Sequence, residues 1–327
     1  MKKNRILGFI FNGVFRKFRF YISFLVLSLI GCWILSSNKE SPKETGNKVL
    51  FPEFSSSDLN FDFLDVGKAD CAVIHNQRSV VIIDGGLKTS KLSVVDYIKN
   101  EVIKNENLKN INLMILTHPH ADHYGQLGDV IDCFARKSRF RFVTCKSRVD
   151  SSSHRGYENL LEKLKHFSIK VEVLKPGDVI KLGGVEIEVL GPIKEDLKNV
   201  NNNSVVCKIK YKGKKFLFTG DAERGEEEDL INSGQDLSAD VIKIGHHGSK
   251  TSSSLKFLKA VRPKYAVISA GDHYNMVSIY PNKEVADRLN LLGVQYFVTK
   301  DLGTIRFSVS SNGVLKVPRK PDLKEAA

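Results

Sequence analysis

The stretch that most constrains this chain is Thr117-His118-Pro119-His120-Ala121-Asp122-His123-Tyr124-Gly125. The apolar run Ile111 to Leu116 feeds into it as a buried strand would, and a segment of helical character follows from Gln126. Three imidazoles and a carboxylate thus sit on a strand-to-helix loop, where a rigid scaffold presents chemistry. Pro119 keeps the backbone extended, so His118 and His120 point to the same side and can bind one ion. Asp122 and His123 lie past the bend and can face a second ion. Imidazole nitrogen and carboxylate oxygen suit zinc or manganese and do not suit calcium. A His-rich surface loop without metal is the blander reading; so many ligand types in six residues behind an apolar run argue against it.

At 327 residues the chain can bury a large core, as one α/β domain or two smaller ones. The net charge of +13 is concentrated at the start. Residues 1–39 hold seven Lys and Arg and no acid, which leaves +6 for the remainder. That excess suits a polyanionic substrate and suits plain solubility equally well, so charge alone decides nothing. Of the five cysteines none shows C-x-x-C spacing, which argues against a cysteine zinc site. Cys71 and Cys207 sit in strand-like runs and read as small core residues. Cys133 and Cys145 could pair in an exported protein, although no sequence rule fixes that connectivity.

Residues 1–39 read as a signal or membrane anchor: a basic start (Lys2, Lys3, Arg5, Arg16, Lys17, Arg19), then sixteen uncharged, mostly apolar residues, Phe20 to Leu35. Sixteen is short for a full span of about 20, yet fits a signal-peptide core or a minimal tilted anchor. Leu29-Ile30-Gly31-Cys32 is similar to a lipobox, with Cys32 as the lipidated residue, whereas Trp33-Ile34-Leu35 continues the apolar run as an uncleaved anchor would. Either way the preceding positive charge places the bulk of the chain outside the cytoplasm, in the periplasm or at the cell surface. Residues 40–57 form a Ser-, Pro- and Gly-containing linker, 58–317 the folded domain, and 318–327 a polar tail.

Within 58–317 the pattern gives strands at Phe61–Val66, Cys71–Ile74 and Val80–Ile83, helical spacing over Ser90–Lys104, then the strand before the His loop. A strand over Arg139–Cys145, a helix over Tyr157–Phe167 and alternating strands from Lys170 to Leu190 follow. A hairpin, Val205–Tyr211 with Lys215–Phe218, ends in Thr219-Gly220-Asp221-Ala222-Glu223. Helical spacing over 224–234 precedes Val241–Ile244, which leads into Gly245-His246-His247-Gly248-Ser249-Lys250. Helices at Leu255–Val261 and Pro281–Leu292 alternate with strands at Tyr265–Ser269, Tyr296–Val298 and Ile305–Val309. Strands first, then strands alternating with helices, twice over, predict two sheets packed together with helices outside. Asp84, Asp221, His246 and His247 all follow apolar strands and can converge on the His loop; Asp84 can brace it from behind.

The pieces Phe63-Leu64-Asp65-Val66-Gly67, Ile83-Asp84-Gly85-Gly86, His118 to Gly125, Asn203-Ser204-Val205-Val206, Thr219 to Glu223 and Gly245 to Lys250 together resemble one group. It is the metallo-β-lactamase superfamily, in the form of the hydrolase domain of ComEC-type competence proteins. The resemblance implies an αβ/βα sandwich of two packed mixed sheets with outer helices, a site for two divalent ions, zinc or manganese, and nuclease action on single-stranded DNA. Carried over, His118 and His120 match ligands of a first ion, Asp122 and His123 of a second, and Asp221 the bridging carboxylate. His246 and His247 match the late histidine pair, either of which could be the ligand, and Lys250 could meet a phosphate. The catalytic roles implied thus fall on Asp122, Asp221, His247 and Lys250.

Two departures stand out. Asn203-Ser204 precedes the hairpin where many superfamily members carry a histidine. Tyr280 stands where the competence group has a histidine, so a contact there is missing or is supplied by His273. The expectation is a membrane-tethered, extracytoplasmic, metal-dependent hydrolase of phosphodiesters, with no protein partner evident. The rivals are a hydrolase of a small ester, thioester or lactam, and a weakened metal- or nucleic-acid-binding module. Tyr211, Phe216 and Phe218 could stack on bases but read better as sheet core.

Overall fold

The computed structural model describes residues 58–103, 111–136, 139–146, 154–271 and 280–318. The leader, the linker, the tail beyond Pro318, and His273 lie outside these residues. No helix among the described residues is long and apolar enough to cross a membrane.

Each of two sheets joins a parallel half to an antiparallel half. The first runs in the order Leu315–Lys316, Ile305–Val309, Leu59–Phe63, Ala72–Asn76, Ser79–Ile83, Leu113–Leu116, Arg141–Thr144, Val171–Val173. Pairing is antiparallel up to Ser79–Ile83 and parallel beyond it. The second runs Gln295–Val298, Tyr265–Ile268, Val241–Lys243, Lys214–Phe218, Val206–Tyr211, Val185–Gly191, Val179–Leu182. Its first four strands are parallel and the rest antiparallel. Ser79–Ile83 and Leu113–Leu116 are apolar on both faces because helices cover one side and the other sheet covers the second.

Alternation along Leu59–Phe63 sends Leu59, Phe61 and Phe63 into the layer between the sheets. There Phe61 stacks on Phe216 with ring centroids 3.6 Å apart, and Phe63 on Phe218 at 5.6 Å. Tyr211, Phe216 and Phe218 are core residues, buried away from any base. A second apolar layer joins the first sheet to helices Leu127–Phe134 and His154–His166; a third joins the second sheet to Arg224–Asn232, Leu255–Val261 and Lys283–Leu291. The result is two packed sheets with helices outside, as the strand–helix order predicted, and the αβ/βα sandwich that the resemblance implied.

Two local departures have physical reasons. Ser90–Lys104 holds one α-turn, Val94–Tyr97, and then a π-turn, Ile98–Ile103. Val94, Ile98 and Val102 are all fully buried. Side chains repeating every fourth residue drift off one face of a 3.6-residue helix, and the wider turn keeps them aligned. The His loop also becomes helical earlier than expected, at Ala121–Tyr124. Cys71, Cys133, Cys145 and Cys207 are free thiols, so Cys133 and Cys145 are not paired.

Candidate metal centre

Four strands of the two sheets end at the same edge of the sandwich and deliver the side chains of interest. Leu113–Leu116 ends before Thr117 and His118, Ser79–Ile83 before Asp84, Lys214–Phe218 before Asp221, and Val241–Lys243 before His246 and His247. Asp84, His246 and His247 all hold left-handed backbone, with φ of 59°, 49° and 53°. That conformation is costly for residues with a side chain and persists where surroundings enforce it. Gly220 (φ +50°) sits where a Cβ would come within 2.9 Å of Thr117 and Ser204, so only glycine lets Asp221 approach the His loop.

Asp122, His123, Asp221 and His247 place one ligand atom each within 4.8 Å of one another. Asp221 Oδ2 is the hub: His123 Nε2 is 3.3 Å away, His247 Nε2 3.6 Å, His246 Nε2 3.8 Å and His118 Nε2 4.0 Å. His247 Nε2 is also 3.3 Å from Asp122 Oδ2. His118 Nε2 lies 3.0 Å from His120 Nδ1, so those two imidazoles share one side of the loop. Of the late pair, His247 faces the cluster fully buried, whereas His246 is partly exposed and turns Nδ1 to Glu223 Oε1 at 3.0 Å. Asp84 holds the loop by accepting from Thr117 N and Oγ1, both at 2.8 Å, while its Oδ2 lies 2.8 Å from His123 Nδ1.

The donor set fits a divalent cation on the structure's own terms. Asp221 Oδ1 and His123 Nε2 are buried without a hydrogen-bond partner, a cost that a cation would relieve. Burial opposes charge on His123, but Asp221 and then Asp84 outweigh it and hold the ring protonated well above its ordinary range. His247 behaves alike: against burial, Asp221 and Asp70 push it up to about 9. Burial, and then its neighbour His123, drive His118 well below its usual value, so it offers a lone pair. Against burial, His123 and His247 hold the Asp221 carboxyl far below its usual range. Positive charge at the centre of these carboxylates is therefore favoured, and two imidazolium protons stand where cations would.

Two partners escaped the sequence reading. Asp70 Oδ1 lies 3.2 Å from His247 Nδ1, and Lys243 Nζ lies 2.7 Å from Asp70 Oδ2, with both side chains nearly sealed from solvent. Against burial, Lys243 and His247 pull the Asp70 carboxyl down to about 2, so this partner of His247 stays ionised. Lys243 was detectable as the one charge in the apolar run Val241–Ile244; its pairing with Asp70 is purely tertiary. Removing both charges together, Asp70→Asn with Lys243→Met, avoids stranding either one. That double variant should bind zinc roughly 10- to 100-fold more weakly, as loss of a ligand's hydrogen-bonded partner does. Competition with a chromophoric chelator reads this directly.

Ser204, at the departure from the usual histidine, donates or accepts at His118 Nδ1 (3.3 Å) and accepts from Asp221 N (3.0 Å), tying two cluster residues together. Tyr280 is not among the cluster residues: its ring lies under Lys68 Nζ at 4.3 Å. Lys250 is exposed; its backbone N–H donates to Asn282 Oδ1 and its carbonyl accepts from Arg224 and Arg288. No contact of its ammonium group with the cluster occurs among the described residues.

Fold and cluster together define the class. The metallo-beta-lactamase superfamily profile matches residues 64–273, and the chain belongs to that superfamily, whose members are generally metal-dependent hydrolases. Within it the chain resembles ComEC-type competence proteins. It is 29% identical over 265 residues to ComE operon protein 3 of Bacillus subtilis (strain 168), covering 77% of this chain and 33% of that protein. It is 37% identical over 134 residues to Competence protein ComA of Neisseria gonorrhoeae, covering 40% of this chain and 19% of the other. The chain thus spans a third or less of these curated relatives. The metallo-beta-lactamase fold protein YhfI of Bacillus subtilis shares the fold at a TM-score of 0.51 and 11% identity, over 77% of this chain and 99% of that one.

Proposed function

We propose that this protein is a membrane-tethered, extracytoplasmic phosphodiesterase that uses two divalent ions, zinc or manganese, to cut nucleic-acid strands, single-stranded DNA foremost. The observation that carries the reading is the quartet Asp122, His123, Asp221 and His247, three of them buried, with Asp221 reaching four imidazoles. Likeness to competence proteins supports a nucleic-acid substrate. His118, His120 and Asp221 would hold one ion, and Asp122, His123, Asp221 and His247 the other. Bound there, divalent ions would supply Lewis acidity and neutralise charge on a phosphodiester. Asp122 is the carboxylate of the quartet that reaches solvent, at 30% exposure, and is placed to accept the proton of the attacking water. Asp84 and Asp70 fix the rings of His123 and His247, and Ser204 fixes His118 against Asp221.

The test is a substrate panel given to the full-length chain: a single-stranded oligonucleotide, bis(4-nitrophenyl) phosphate, a thioester and a lactam. Turnover of both phosphodiesters with neither of the others is expected. Turnover confined to the thioester or lactam overturns the phosphodiester reading, and strand binding without any turnover makes the protein a binding module. Tethering rests on the basic, apolar start of the sequence. Full-length protein should fractionate with membranes, and Cys32→Ala separates its two forms: unprocessed precursor accumulates if Cys32 is lipidated, and nothing changes if Phe20–Leu35 is an uncleaved anchor. Recovery of the wild-type protein in the cytosol contradicts both.

A further inference from the structure

We infer that a lysine-lined cleft beside the metal centre, formed by Lys68, Lys91 and Lys300, takes the phosphates of the strand that flanks the bond to be cut. This inference rests on the nucleic-acid reading above and gives it a location.

The cleft encloses about 330 Å³ and is lined among others by Asp65, Lys68, Thr89, Ser90, Lys91 and Lys300. The volume is at the low end for small-ligand sites, with room for a nucleotide-sized segment and not for a duplex. Its lysines come from three separate parts of the chain: the turn after Leu59–Phe63, the loop after Ser79–Ile83, and the helical turn Thr299–Leu302. Among the described residues the lining sets one carboxylate against three ammonium groups, an excess of two positive charges. The cavity walled by Lys194, Lys198, Glu195, Asp196, Glu226 and Asp229 has the opposite balance. In the cavity beside Tyr124 and Asn159, Lys88 is paired with Asp129 and Lys163 with Asp132. Lys91 makes no such ion pair among the described residues.

Position ties the cleft to the chemistry. The turn carrying Gly67 and Lys68 ends at Asp70, whose N–H donates to the Asp122 carbonyl at 3.1 Å and whose carbonyl accepts from Gly86 N at 2.7 Å. One wall of the cleft is therefore continuous with the metal loop. The Lys68 ammonium lies 4.3 Å from the centre of the Tyr280 ring, a cation–π contact that holds it. Tyr280 in turn precedes Pro281, which packs on Gly248 so closely that a Cβ there would come within 2.6 Å of the proline ring. Gly248 directly follows His247. Tyr280 thus links Lys68 on the cleft wall to the segment that packs behind His247. Phosphate contacts fix register without reading sequence, which fits a strand fed past a cutting site.

The test uses the full-length chain, stripped of metal with a chelator so that no cleavage intervenes, and a fluorescein-labelled oligothymidylate followed by anisotropy across a salt series. Lys91→Glu with Lys300→Glu should weaken binding at least ten-fold. It should also flatten the dependence of log affinity on log salt by about 1.4, since a single strand loses about 0.7 per phosphate contact. Lys256→Glu with Lys259→Glu, the same charge change on exposed positions of helix Leu255–Val261, should stay within two-fold of wild type. Equal losses in the two double variants overturn the cleft, because general charge then accounts for binding. If stripped wild type binds strands and metal-loaded wild type cuts them, while the cleft variant matches it in both, the cleft falls and the nuclease reading stands. If wild type binds no oligonucleotide at all, both fall.

Discussion

Asp221→Ala should abolish hydrolysis and remove most of the metal affinity, while leaving the fold in place. Its Oδ2 is the single atom that four imidazoles approach, and its buried Oδ1 has no hydrogen-bond partner. Loss of a mere outer partner of a ligand costs about 10- to 100-fold, so loss of the shared carboxylate should exceed about 100-fold in kcat. The side chain sits on a loop at a strand end and not in an apolar layer, which is why the fold should survive. Metal content by atomic emission and turnover on one sample check this, with circular dichroism as the fold control. Wild-type metal content and turnover in Asp221→Ala would defeat the assignment.

Asp62→Ala should cost stability on the order of 3–5 kcal/mol and leave metal content of the folded fraction unchanged. Asp62 is fully buried on the helix-covered face of the first sheet, where Arg306 grips both its oxygens, His75 Nε2 lies 2.7 Å away and Tyr97 donates at 2.8 Å. Removing the carboxylate strands the Arg306 guanidinium, only 14% exposed, without its counter-charge. Burial would raise the Asp62 carboxyl, but His75 and Arg306 overcome it and hold the group well below the usual carboxylate range. A carboxyl depressed in the folded state stabilises above its unfolded value, near 3.9, and that stability is lost as pH falls through the folded value. The gap between wild type and Asp62→Ala in urea unfolding should therefore be full at pH 7 and should shrink only below about pH 4. An equal gap at neutral pH and deep in acid would show that packing, and not the ion pair, sets the effect.

Much of this was legible in the chain because chemistry here sits at strand ends. An apolar run followed at once by His118, Asp84, Asp221 or His247 marks where a sheet hands its side chains to solvent, and the structure brings all four to one edge. Local pattern could not say which of His246 and His247 turns inward. Both hold left-handed backbone, and the choice falls to Asp70 and Ser269 around His247 against Glu223 beside His246. The Lys243–Asp70 pair was invisible because its members come from different sheets' strand ends and meet only when the sandwich closes. The π-turn at Ile98–Ile103 escaped for a subtler reason: a four-residue apolar repeat reads as an α-helix until a sheet beneath demands that every repeat be buried.

The central claim is that the quartet around Asp221 is a divalent metal centre that drives phosphodiester cleavage, and one titration tests it. Full-length protein is stripped with a chelator, then given zinc or manganese stepwise while bound metal per chain and turnover of bis(4-nitrophenyl) phosphate are followed together. The account predicts no turnover in the stripped protein, two ions bound per chain at saturation, and activity that rises with occupancy. Turnover that persists in the stripped protein, or saturation with two ions that never brings turnover of the phosphodiester, would contradict it.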